Sequence, residues 1–322
     1  MSKHILDIIV PQYTDGEETL HLLLDSIYLQ QSIDFDKLGV IIVNDGTNVR
    51  LSDRFLSRYP FEITYILNEH HGISYTRQTG LDASKADYVM FCDSDDCFYT
   101  VIGLFQIFTC IENDPFDVLV SEFIEEVKVT DGGTAYITRE KDGIFIHGKI
   151  YRREFLVENN IRWREDIMFH EDVYFNALAT RVAKDVNYID VPFYLWRCNS
   201  ASTSRQTDFM SSTYDVAIHG NEVLIKEFIS RGMPDCARLF FSNFLVDAYN
   251  TMTNPLFLES ITQSWRLDIL INMLCHHFHT YGYLWDETPE EDKKRLAERL
   301  ESKNIDDVTK WMKFIISINV KE

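Results

Sequence analysis

The sequence predicts an α/β fold: a mostly parallel central sheet with flanking helices, followed by an all-helical C-terminal region. Three observations carry this expectation. Short apolar runs recur at residues 4–10, 40–43, 63–67 and 88–92, each too brief for a helix and dense enough to be buried on both faces of a sheet. Helically spaced segments separate these runs, and loops rich in Asp, Asn and Gly close them, as in βα units with a ligand site along one edge. Beyond Ser200 the pattern is almost wholly helical.

The first run ends at Pro11, where Pro11-Gln12-Tyr13 begins a loop. After an Asp15-x-x-Glu18 start, Leu20, Leu23, Leu24 and Ile27 recur at helical spacing and predict a helix over 16–31. The second run closes with Asn44-Asp45-Gly46-Thr47. A helix is expected near 51–58, a strand at 63–67, a loop at 68–72 and a helix from about 73 to 84. The fourth run stops abruptly at Asp93-Ser94-Asp95-Asp96, three carboxylates in four residues where the strand leaves the core.

From Phe116 the texture changes. Residues 118–120 are apolar, 123–129 alternate before an Asp131-Gly132-Gly133 turn, and a β-rich excursion runs to about 145. Residues 147–157 and 169–182 read as helices and 186–194 as a late strand. In the tail, Thr288-Pro289-Glu290-Glu291 reads as a capping box with proline at the first helical position. Trp265, Leu267, Leu270, Ile271 and Leu274 form a stripe expected to be core, and Trp311, Phe314, Ile315 and Ile318 form one apolar face. His276, His277 and His279 point apart on a helix with no Cys or carboxylate to complete a ligand set, so no metal site is expected there. The expected domains are 1–205 and a helical 206–322.

A chain of 322 residues, 45% hydrophobic and 13% aromatic, has ample core for one large and one smaller domain. With 31 Lys and Arg against 51 Asp and Glu, the net charge is −20, which argues against a broad nucleic-acid or anionic-membrane surface. The six cysteines (92, 97, 110, 198, 236 and 275) include no Cys-x-x-Cys pair, so reduced thiols in the cytoplasm are expected. The apolar part of MSKHILDIIVPQY is too short for a signal peptide, and no stretch reaches membrane-spanning length. A cytoplasmic protein, free or peripheral at a membrane, is the expectation.

Several places can carry chemistry. The three carboxylates Asp93, Asp95 and Asp96 at a strand end invite a hard divalent cation, although Asp-Ser-Asp also makes solvated turns. Asp45 can accept the N3–H of a uracil or hold a ribose hydroxyl, or simply form an Asp-Gly turn. His71-Gly72, Ser74 and Arg77 open a helix where backbone amides favour phosphate; an ordinary surface arginine has the same spelling. Glu171 and Asp172 lie at a helix start among Met168, Phe169, Val173, Tyr174 and Phe175. A carboxylate in so apolar a setting can act as a general base, and acids there also complement the helix dipole. Lastly, the small-residue stretch 196–205 is bracketed by Arg197 and Arg205, which describes either a loop closing over a diphosphate or an inter-domain linker.

Taken in order, IIVPQY, IIVNDGT, HGISYTRQTGL, YVMFCDSDD and HEDVYF resemble the motifs of the family 2 glycosyltransferases of GT-A fold, over about residues 4–205. GKIYRREFL and PFYLWRCNSASTSR are similar to that family's acceptor-side helix and mobile loop. The resemblance implies a metal-dependent, inverting transfer of a sugar from a nucleotide-diphosphate donor, most simply a uridine one, to an acceptor hydroxyl. It implies donor-binding roles for Pro11, Tyr13, Asn44, Asp45, Arg77, Asp93, Ser94, Arg197 and Arg205. It also implies a Mn²⁺ or Mg²⁺ ion held by Asp95 and Asp93 with support from Asp96. Asp172 is implied as the general base and Glu171 as the group orienting it. Two positions depart from the family pattern, Asn44 for its first Asp and Gln78 for its usual Asn.

The implied acceptor is a surface glycan or polymer. Two other readings remain open on sequence alone: a hydroxymethylated base in DNA as the acceptor, or a non-catalytic glycan-binding or assembly protein built on a decayed transferase domain. The helical tail is expected to hold the acceptor or to join two subunits into a homo-oligomer.

Overall fold

The computed structural model describes residues 4–129, 132–141, 144–199, 209–261, 263–302 and 304–318. The chain divides into two compact units, Met1–Ser202 and Thr203–Glu322.

The first unit is α/β. Strands β1 (Leu6–Gln12), β2 (Leu38–Asp45), β3 (Glu62–Asn68) and β4 (Tyr88–Phe91) run parallel. Helices α1 (Glu17–Tyr28), α2 (Asp53–Leu56) and α3 (Ile73–Ala83) connect them. After α3 and β4 come β5 (Cys97–Phe98), α4 (Gly103–Asn113), β6 (Val118–Lys128), β7 (Thr134–Arg139) and β8 (Lys149–Arg152). The unit ends with α5 (Arg153–Glu158), α6 (Glu171–Val182) and β9 (Val186–Trp196). The strand order is β3-β2-β1-β4-β8-β6-β9-β5, with β7 paired to β6. Strand β8 runs antiparallel between β4 and β6, so the parallel half passes into a mixed half there.

The apolar runs behave as buried strands. Every residue of β2 and β4 is buried, and Leu20, Leu23, Leu24 and Ile27 of α1 pack into the same core as Leu6, Ile8 and Val10. Gly80 lets α3 lie close on β1: a Cβ there would stand 2.3 Å from the Ile9 Cγ2.

Some local expectations give way. Residues 149–152 are a strand, not part of a helix, because Ile150 and Tyr151 are needed as a buried rung between β4 and β6. Helix α4 was not expected, although Leu104, Ile107 and Phe108 carry its spacing and are among its buried residues. The N-cap of α1 is Gly16, and the Asp15 carboxylate instead accepts from Ser94.

The second unit is helical: α7 (Phe209–Ser230), α8 (Pro234–Met252), α9 (Pro255–Ser260), α10 (Ser264–Tyr281), α11 (Tyr283–Asp286), α12 (Glu290–Ala297) and α13 (Ile305–Ser317). Leu224, Phe228, Phe241, Leu245, Leu274, Phe278 and Trp285 are buried in it. Thr288 does not cap α12; its hydroxyl donates to the Leu284 carbonyl, and Pro289 occupies the cap. Phe314 and Trp265 are exposed rather than core. His277 is buried with its Nε2 on Asn221 and aromatic rings around it, and burial pushes its pKa down to about 4, so it is a neutral core side chain. His276 and His279, on either side of it in the helix, are both exposed to solvent.

Candidate active site

The parallel strands deliver their carboxyl ends to one rim. Register pairs Gln12 with Asn44 and Asp45 with Asn68, so the residues after β1, β2 and β3 leave the sheet together.

Asn44 is fully buried and works inside this rim rather than facing a ligand. Its Nδ2 donates to Gln12 Oε1 and the Val49 carbonyl at 2.9 Å each, and its Oδ1 accepts from the Thr47 amide. Gln12 in turn donates to the Asp15 carbonyl and accepts from the Tyr65 hydroxyl. Gln12 carries no sequence signal for this role beyond its place between Pro11 and Tyr13.

Asp45 is also taken up locally. One oxygen accepts from the amides of His71 and Gly72 at 2.9 and 3.1 Å, and the other lies 2.9 Å from His70 Nδ1. The amides of His71 and Gly72, just ahead of the first turn of α3, are therefore engaged by Asp45. Gly46, at φ +73°, is required for this closure, since a Cβ would fall 2.2 Å from the His70 amide. The exposed Tyr13 ring stacks on His70 at 5.0 Å, leaving an open aromatic face beside Asp45.

The central feature is Arg77. Its guanidinium is buried, donating from Nη2 to Asp93 Oδ1 and from Nη1 to Glu171 Oε1, each at 2.7 Å. It lies 4.8 Å from the centroid of Trp163. This corrects the expectation of a phosphate-binding arginine: both arms of its fork are occupied by carboxylates. Burial alone would raise the Asp93 carboxyl, but Arg77, with a contribution from His147, holds it below the usual carboxylate range.

The acid turn after β4 splits three ways. Asp93 turns to Arg77. Asp95 accepts from Asn199 at 2.9 Å, and burial, with Asp93 and Asp15 nearby, raises its carboxyl. Asp96 is 1% exposed and accepts from the Tyr194 hydroxyl and the Arg197 amide, so it faces inward. Burial, then the charges of Asp93 and Asp95, push its carboxyl well above the ordinary range. Asp96 thus corrects the expectation of a metal ligand: it braces the turn from behind. Among the described residues, no three His, Cys, Asp or Glu side chains form a ready ligand group.

Arg197 also binds this turn, donating from Nη1 to the Asp95 carbonyl at 3.1 Å. Ser94 donates to Asp15 at 2.7 Å. Arg205 lies outside the described residues. His147 stacks on Trp196 at 4.8 Å, with Nδ1 3.9 Å from Asp96.

Asp172 sits in the first turn of α6, whose preceding residue, His170, holds a left-handed backbone at φ 60°. Asp172 keeps part of its surface open, and its Oδ1 accepts from the Val173 amide. Burial, then the adjacent Glu171 charge, pushes its carboxyl up to about 7. Arg77 lowers it and Asp93 raises it, so the acid turn and the α6 acids share one electrostatic neighbourhood.

Residues 7–170 match the family model described as Glycosyl transferase family 2. The chain belongs to this family. The Bacillus subtilis (strain 168) protein described as uncharacterized glycosyltransferase EpsJ is 29% identical over 221 residues, 62% of this chain and 62% of that protein. The teichoic acid poly(glycerol phosphate) polymerase of Staphylococcus epidermidis is 25% identical over 247 residues, 69% of this chain and 34% of that protein. The chain thus spans less than two thirds of the length of these relatives. Among solved structures, S. aureus TarS 1-349 in complex with UDP matches with a TM-score of 0.65 at 18% identity, covering 96% of this chain and 89% of that one. That likeness supports the GT-A fold of this family 2 member.

Proposed function

We propose that this glycosyltransferase moves a sugar from a uridine-diphosphate donor to a hydroxyl of a surface glycan or polymer, with inversion at the anomeric carbon. The observation that carries the reading is the Arg77 bridge, which ties the turn holding Asp93 and Asp95 to the helix holding Glu171 and Asp172. The relatives support the substrate classes: TarS has been crystallised with UDP and with UDP-GlcNAc, and a matching protein is a teichoic acid polymerase.

Asp95 and the second oxygen of Asp93 suit a hard divalent ion such as Mn²⁺ or Mg²⁺. Such ions bind through one or two carboxylates and complete their shell with phosphate oxygens and water. The raising of Asp95 by burial and by the charges of Asp93 and Asp15 is the imbalance a cation would relieve. When bound, the ion would neutralise charge on the departing diphosphate. Tyr13, stacked on His70, offers its open face to a nucleobase, with Pro11 at the same strand end.

Asp172 takes the proton of the acceptor hydroxyl as that oxygen bonds to the anomeric carbon and the bond to the diphosphate breaks on the opposite face. A carboxyl raised to about 7 is a stronger base than a solvated one and still ionised in useful fraction near neutrality. Glu171, held by Arg77, fixes the first turn of α6 and so the aim of Asp172. The helical unit is assigned to acceptor binding.

The test is hydrolysis or transfer from a panel of UDP-sugars, UDP-GlcNAc included, with Mn²⁺ or Mg²⁺. The reading requires metal-dependent UDP release that Asp172→Asn abolishes; metal-independent release, or full activity in that variant, would refute it.

A further inference from the structure

We propose that the face formed by the end of α1 and the start of α4 is a self-association surface, occupied by the same face of a second copy of this chain. Tyr28, Leu29, Tyr99, Val101, Ile102 and Phe105 are each 43–60% exposed. They belong to two segments that touch: the Gln31 amide donates to the Val101 carbonyl at 2.7 Å, Gln30 Nε2 to the Thr100 carbonyl at 2.6 Å, and the Leu104 amide to Gln30 Oε1 at 2.9 Å. Buried hydrogen bonding thus fixes the two segments side by side, and their apolar side chains are what remains outside.

Charge selects the occupant. Residues 26–33 and 97–111 contain no Asp, Glu, Lys or Arg, in a chain that is 25% charged with net charge −20. In the helical unit, by contrast, the exposed Trp265 and Ile269 flank Arg266 and Asp268, and the exposed Phe314 follows Lys313. A surface without cations has no attraction for anionic lipid headgroups. It is, however, where two strongly acidic bodies can meet without bringing like charges together, and a two-fold axis sets the patch against itself. Six side chains of this size, about half exposed, offer on the order of 500 Å² per copy. That is below the roughly 800 Å² each partner gives a standard interface. The dimer is therefore weak, concentration-dependent, and favoured by salt that screens the net repulsion.

The test is sedimentation velocity of the full chain across a protein concentration series at low and high salt, alongside Leu29→Asp and Phe105→Asp. Both sites are exposed, so folding is checked by circular dichroism and by unchanged sugar-nucleotide turnover. The proposal requires a concentration-dependent doubling of mass that strengthens with salt and is lost in both variants. A wild-type chain that stays monomeric throughout overturns it, as does a dimer that survives both substitutions, which would run through another surface such as the C-terminal helices. Flotation with neutral phosphatidylcholine vesicles by a chain that shows no self-association would give the face to a membrane instead, and would equally overturn it.

Discussion

Arg77 donates to Glu171 at 2.7 Å across 94 residues of sequence, and the same guanidinium holds Asp93 at the same distance. One buried cation therefore balances a carboxylate from the acid turn and another from the α6 start. Their separation depends on a single side chain.

Removing that cation should be costly. Arg77→Met leaves two carboxylates facing each other with little solvent, and a loss of about 3–5 kcal/mol in unfolding free energy is expected in urea denaturation. Arg77→Lys keeps the charge but not the fork, so it should recover part of the stability and little of the activity.

The pH response should follow Asp172. Its carboxyl, raised to about 7, must be ionised to accept a proton, so kcat should climb with pH up to and through about 7 and then level off. Stability should move the other way. A carboxyl raised in the folded state stabilises the fold while protonated, and that contribution fades as pH rises from the ordinary carboxylate range through about 7. Asp172→Asn should lose roughly 100-fold or more in kcat and flatten this part of the stability profile, read by thermal melts from about pH 4 to 8.

Asp95 and Asp96 should separate cleanly despite being neighbours. Asp95→Asn is expected to abolish the metal-dependent rise in melting temperature that UDP produces, and chelation should remove the same rise from the parent chain. Asp96→Asn should keep that rise. Tyr194→Phe, which strips the donor from buried Asp96, should cost about 1–3 kcal/mol in stability with metal dependence intact.

Restoring the family's acid at position 44 should do harm. Asn44 Nδ2 donates to two acceptors, Gln12 Oε1 and the Val49 carbonyl, and an ionised carboxylate in its place would have no proton for either. Asn44→Asp is expected to lose about 2–4 kcal/mol by chemical denaturation, since buried groups are left unpaired.

The sheet was legible because buried strands need continuous apolar runs, and the runs at 40–43 and 88–92 admit no other use. The segment at 147–157 was not, since the demand for a strand at Ile150 and Tyr151 comes from β4 and β6, which lie far away in sequence. The site residues were visible as letters in an order; their partners were not. Nothing local says that Arg77 faces Glu171 rather than solvent, or that Asp96 turns toward Tyr194, because both facts depend on contacts about a hundred residues apart. The exposed Tyr13 and the buried Asn44 differ for the same reason.

The contact between Gly80 and Ile9 reaches beyond this one chain. With no room for a methyl group between the helix and the strand, bulk can be added on one side only by removing it from the other. Homologues carrying alanine or serine at position 80 should therefore carry at position 9 a residue without the branching γ-methyl, such as alanine, a reciprocal drift that alignments of the family can reveal.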